Sequence, residues 1–145
     1  MDITAIGSKI TFVSAAFAGK GLVVTNAPDS DAFFSIDAVD INEVAVGLNC
    51  HKISWALPNK LRITVSVIPN SEDDQNMQKM FHWNRTQGMA VNTDSIQIGI
   101  TETGKSEPEI YGDFSLVNGS PANTAEASGR FSNKQYVFEG VTRVF

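Results

Sequence analysis

KLRITVSVIPNSEDDQNMQKMFHWNRTQG, residues 60–88, passes from one hydrophobic period to another, and that change decides the fold. Leu61, Ile63, Val65 and Val67 alternate with Arg62, Thr64 and Ser66, the period of a strand buried on one face. Pro69 has no N–H for a ladder and ends the strand. Ser71 then fits a helix N-cap: its hydroxyl can accept from an otherwise unpaired backbone N–H, and Asp74 has the capping-box spacing. Glu72, Asp73 and Asp74 lie at the positive end of the helix dipole, Lys79 and Arg85 lie further along, and Gly88 supplies a stop. Met77, Met80 and Phe81 recur at the three-and-four spacing of a buried stripe, which predicts one packed helix over about residues 71–86.

Outward from this stretch the signals are those of strands. KITFV at 9–13, GLVVT at 21–25 and AFFSI at 32–36 are each bounded by Gly, Pro, Asn or Asp. From Val44 the alternation puts Val44, Val46, Leu48 and Cys50 on one face and Ala45, Gly47 and Asn49 on the other. The phase then slips to Ile53, Trp55 and Leu57, which predicts a turn or bulge near His51 and Lys52 and a turn at Pro58 and Asn59. After the helix come MAV at 89–91, SIQIGIT at 95–101, IYGDFSLV at 110–117 and KQYVFEGVTRVF at 134–145. NGSPANTAEASGR, residues 118–130, is small and polar and reads as a surface loop that a neighbouring molecule could order. The class is mainly β, a β-sandwich or barrel with one inserted α-helix, in a single domain over residues 1–145.

Composition narrows the function. A formal net charge of −5 and a pI near 4.9 argue against an open basic surface for nucleic acid. The single cysteine, Cys50, excludes an internal disulfide framework, so folding in the cytoplasm is the default. ITFVSAAFA at 10–18 is apolar and ends in small residues, but Asp2 precedes it and Lys9 is its only basic neighbour, so a cleaved signal is not expected. Nothing approaches the roughly 20 apolar residues of a membrane helix.

Chemistry is weakly represented. Cys50 and His51 are adjacent, so on a strand they point to opposite faces and cannot form a nucleophile and base pair. Capping explains Asp73 and Asp74 without catalysis, and His82 and Trp83 suit the end of a packed helix. Asp29, Asp31, Asp37 and Asp40 lack the glycine and terminal glutamate of a calcium loop. Lys20-Gly21 lacks the spacing of a phosphate loop. The two glycosylation sequons, at Asn84 and Asn118, carry no force without secretion. No catalytic residue, metal site or cofactor is expected.

The order of these elements, KLRITVSVIP, the capped helix NSEDDQNMQKMFHWNR, a short strand, SIQIGITETG and a closing aromatic strand KQYVFEGVTRVF, resembles that of bacteriophage tail tube proteins. The resemblance runs from about Asp40 onward, and INEVAVGLNCHKISWALPNK falls where those proteins carry a strand pair or loop used in ring stacking. It implies a subunit that forms hexameric rings stacked into a hollow tube, a plan shared by type VI secretion tube proteins. The tube belongs to the virion tail, is assembled in the host cytoplasm and carries DNA and tape-measure protein. In a contractile tail a sheath surrounds it. Six copies at −5 each give a formal −30 per ring, a sign that would repel phosphate from the wall and leave DNA contacts transient.

On this reading the small polar faces Glu43, Ala45, Gly47, Asn49 and Arg62, Thr64, Ser66 are expected to line the lumen, because the alternate residues are needed for the core. A tube terminator or a baseplate initiator is the neighbouring alternative. A small β-sandwich that binds a ligand through Trp55 or Trp83 is the alternative from another class, distinguished by whether Trp55 packs with Ile53 and Leu57 or stands in an open groove.

Overall fold

The computed structural model describes residues 8–14, 21–25, 33–56, 60–85, 95–102, 104–140 and 142–144. The expectations placed on Asp29, Asp31, Leu57, Pro58, Asn59, Gly88, residues 89–91 and the small residues after Ser14 lie outside these segments. In chain order the elements are β1 (Lys9–Val13), β2 (Gly21–Val24), β3 (Phe34–Ile36), β4 (Asn42–Val46), β5 (Lys52–Ala56), β6 (Leu61–Val67), α1 (Glu72–Arg85), β7 (Ile96–Thr101), β8 (Glu109–Gly119), β9 (Lys134–Gly140) and β10 (Thr142–Val144).

Among the described residues seven strands follow one antiparallel path, β2-β1-β7-β8-β9-β6-β3, and an eighth, β10, pairs with β8. β8 is the corner. Its first half pairs with β7 and β10, and its second half pairs with β9. Between the halves Asp113 takes a left-handed φ of 56° and the register against β7 shifts, the local bend that lets one strand serve two sheets. Gly140 permits this corner: a Cβ there would stand 2.5 Å from the Phe114 ring and 2.9 Å from the Asp113 carbonyl. The two halves face each other, with the rings of Phe12 on β1 and Phe138 on β9 5.2 Å apart. The described residues form a β-sandwich with one helix.

The two-residue period explains the core. Ile63, Val65 and Val67 of β6, Ile96, Ile98 and Ile100 of β7, and Ile10 and Phe12 of β1 are buried on the inner faces. α1 adds Met77 and Met80, both fully buried, while Phe81 is half-buried at the rim, edge-on to Tyr136. The helix begins as its N-cap predicts. The Asp74 N–H donates to Ser71 Oγ at 3.2 Å, and the Asp74 carboxylate reaches back to the Asn70 N–H at 2.9 Å, one residue earlier than a standard capping box.

The structure departs from the sequence expectations most clearly in the β4 and β5 pair and in the segment after β8. Among the described residues β4 and β5 pair only with each other and not with the sandwich, so Val44, Val46, Leu48, Cys50, Ile53 and Trp55 are exposed and do not form core. Alternation records that a face is to be covered, and does not record by what. Of the loop expected over 118–130, Asn118 and Gly119 belong to β8, while residues 121–130 are exposed as a surface loop should be, yet are held by bonds within the segment. Ala125 bridges Phe131, the Glu126 N–H donates to Arg130 O at 2.8 Å, and the Ser132 N–H donates to Thr124 O at 2.8 Å.

Candidate assembly surface

β4 and β5 form an arm. It leaves the sandwich after β3 and returns into β6, and those two strands are themselves paired, with Ile36 opposite Ile63. The arm is therefore an extension of one edge of the sandwich. Its turn spans Gly47 to His51, earlier than expected: the Gly47 N–H donates to His51 O at 3.0 Å, the Cys50 N–H donates to Gly47 O at 2.9 Å, and Cys50 has a φ of 63°. At the root, Glu139 accepts from Lys60 Nζ at 3.1 Å and from Arg62 at 3.3 Å, and Asp37 lies 3.9 Å from the Arg62 guanidinium.

Register fixes what each face of the arm carries, because residues opposite one another share a face. Glu43 pairs with Trp55 and Ala45 with Ile53, which makes one face. Asn42 pairs with Ala56, Val44 with Ser54 and Val46 with Lys52, which makes the other. Both faces have apolar centres in water: Val46 is 67% exposed, Ile53 61% and Trp55 44%, and Leu48 stands fully exposed at the tip. Isolated exposed apolar residues are ordinary, but a contiguous set of this kind marks an interaction surface.

The residues expected to line a lumen are divided by the fold. Arg62 and Thr64 lie on the outer face of β6, Arg62 in the ionic cluster at the arm root and Thr64 opposite Ser35 and Val137. Ser66 shares their strand phase but is only 2% exposed, so it presents no side chain to open solvent in the subunit. Glu43 and Ala45 lie on the arm, Gly47 and Asn49 at its turn, and Glu43 and Ala45 share their face with Ile53 and Trp55. That face is not small and polar. The phase slip after Cys50, read on one strand, concealed it.

The side chains considered for chemistry are scattered. Cys50 and His51 are exposed at the arm tip, and His82 is exposed beside Phe81, with ring centres 5.4 Å apart. Among the described residues no group of three or more His, Cys, Asp and Glu could hold a metal ion. A shallow groove on the outer face of the β1 and β7 pair is lined by Lys9, Thr11, Val13, Gln97 and Gly99 among others, and neither tryptophan lines it. Among the described residues no helix is long and apolar enough to cross a membrane.

One polar cluster went unnoticed in the sequence. Asp74 is buried and accepts from Lys134 Nζ at 3.1 Å and from the Tyr136 hydroxyl at 3.2 Å, while Gln78 donates to the same hydroxyl and to the Ser120 carbonyl. Burial chiefly raises the Tyr136 pKa, the charge and hydrogen bond of Asp74 add to the rise, and the Gln78 hydrogen bond opposes it. The cluster ties the start of α1 to β9 and to the segment after β8. A signal existed: Lys134 shares the strand phase of Tyr136 and Phe138, and a lysine among buried aromatics requires a buried acid.

A protein-family model described as "Tail fiber protein gp32" matches residues 1–141 of the chain. No curated protein matches it.

Proposed function

The chain belongs to the family of the phage tail fiber protein gp32 and is a structural protein of the virion tail, and we propose that within the tail it forms stacked rings of the tube. The observation that carries this reading is the β4–β5 arm, which projects from the sandwich with apolar side chains on both faces and at its tip. A two-stranded ribbon without further cover is marginal in water. Neighbouring copies that covered the arm would take its apolar side chains out of water, and repetition of such a contact gives rings or filaments. The resemblance to tail tube proteins in element order supports a ring of six copies, with this arm at the contacts between copies.

Further partners follow from the same reading. Rings stacked into a tube would admit DNA and tape-measure protein, and a sheath would surround them in a contractile tail. The outer face of β6 and β9 suits a passage wall: Thr64, Ser35 and Gln135 are neutral, and Arg62 and Lys60 are each held by a carboxylate. Arg62 and Thr64 therefore remain in the proposed lumen, with the arm residues Glu43, Ala45, Gly47 and Asn49 near it only where a neighbour leaves them uncovered. The role carries no catalytic step.

The description of the matching family favours a second reading, a subunit of a tail fibre. Electron microscopy and native mass measurement of the purified chain separate the two. Six-fold rings with an open centre, alone or stacked, are expected. Slender rods without a channel would support the fibre, single rings that never stack would point to a terminator or initiator, and a strict monomer at high concentration would remove both assembly readings.

A further inference from the structure

The two faces of the arm bear opposite charge. Glu43 lies with Ala45, Ile53 and Trp55, while Lys52 lies with Val44, Val46 and Ser54. From this pattern we propose that arms of neighbouring copies of this chain stack face to back, the Trp55 face of one against the Val44 and Val46 face of the next, with Glu43 of one copy meeting Lys52 of its neighbour. The inference rests on the ring-forming reading and extends it by naming both contact surfaces.

Symmetry selects the arrangement. A two-fold contact uses the same face of both copies, so it would cover one apolar face, leave the other in water, and bring Glu43 towards Glu43 or Lys52 towards Lys52. A face-to-back contact covers both faces of every arm and pairs unlike charges. Such a heterologous contact has no natural end unless its rotation closes, which is the geometry of a ring. Along the ribbon Glu43 and Lys52 stand three pairing steps apart, about 10 Å at 3.3 Å per residue. Adjacent arms are therefore offset along their length, by that distance less the reach of the two side chains.

The arm is also suited to tolerate the test. It pairs with no strand of the sandwich and none of its residues belongs to the core, so a change of charge on it leaves the fold intact. The experiment compares four preparations of the full chain with wild type: Glu43→Lys, Lys52→Glu, both substitutions in one chain, and an equimolar mixture of the two single variants. Ring yield is counted by negative-stain microscopy and sedimentation, and Tm monitors folding. Each single variant places like charges at every contact and should lower ring yield at least tenfold with Tm unchanged. The double variant should recover it. The mixture should recover it as well, because the two variants can alternate around an even-numbered ring with unlike charges at each contact. Single variants that assemble like wild type, or a double variant and mixture as deficient as the singles, would overturn the stacking while leaving the rings themselves standing. Wild-type chains that stop at a two-fold dimer would also overturn it. Wild type without any assembly would remove the ring reading, and this inference with it.

Discussion

β6 and β4 each alternate apolar with polar side chains, yet Ile63, Val65 and Val67 are wholly buried while Val44 and Val46 are more than half exposed. The difference lies in their neighbours. β6 sits between β9 and β3 in the sandwich, whereas β4 has only β5. The same period thus has two outcomes: on β6 it directs folding of the sandwich, and on the arm it leaves apolar side chains on the surface, which the proposed assembly would cover. Stability and assembly should consequently respond to different residues.

The largest separation is expected between Phe138 and Trp55. Phe138→Ala opens a cavity against Phe12 and should cost about 3–5 kcal/mol in a denaturant melt, a large share of the roughly 5–15 kcal/mol typical of a domain. Trp55→Ala should stay within about 0.5 kcal/mol of wild type in the same melt, but ring yield should fall. Equal losses of stability in the two variants would mean that the arm packs as core after all.

Lys134→Met tests the buried pair beneath the helix start. Removing one partner strands the Asp74 carboxylate and should cost about 3–5 kcal/mol. A variant with Asp74→Leu added should recover part of that loss, because an apolar pair of similar size needs no solvation. Failure of any recovery would argue that the backbone bonds of Asp74, and not its ion pair, carry the site.

Tyr136 gives the region a pH signature. Its folded pKa is raised above the ordinary 10.0, so the unfolded chain loses the phenolic proton first and binds fewer protons in alkali. The contribution is complete below pH 10 and is lost as pH rises above it, by at most about 1.4 kcal/mol per pH unit. Melts at pH 9 and pH 11 should diverge for wild type, and Tyr136→Phe should remove that part of the slope. An unchanged slope in the variant would place the alkaline sensitivity elsewhere.

The smallest effects belong to the exposed side of α1. Ser71→Ala should cost about 1 kcal/mol through the lost cap. His82→Ala should leave both Tm and ring yield near wild type, since its ring is exposed at the helix end. A function of correctly assembled particles lost with His82→Ala alone would reopen a chemical role for this helix.

The sequence made α1 and β6 legible because two independent signals agreed in each: the cap with the Met77 and Met80 stripe, and the alternation with Pro69 at its end. The sandwich class followed from many short alternating runs. The placement of the arm was not legible, since Val44 and Ile53 look like core when each strand is read alone and only their pairing register assigns faces. The corner in β8 escaped for a related reason: Asp113 adopts its left-handed φ because the strand is shared by two sheets, which no local pattern announces. Ser66 was hard to read for a simpler reason: its polarity and strand phase suggested exposure that the fold does not give it.

Hydrogen exchange measured residue by residue, on the dissociated subunit and on assembled particles, tests the central claim most directly. In the subunit the amides of residues 42–56 should exchange far faster than those of β6, because a two-stranded ribbon opens easily without further cover. In the assembly they should slow by several orders of magnitude and approach β6, whose own protection should hardly change. An arm that exchanges as fast in assembled particles as in the free subunit would contradict the account, because it would show that no neighbouring copy covers it.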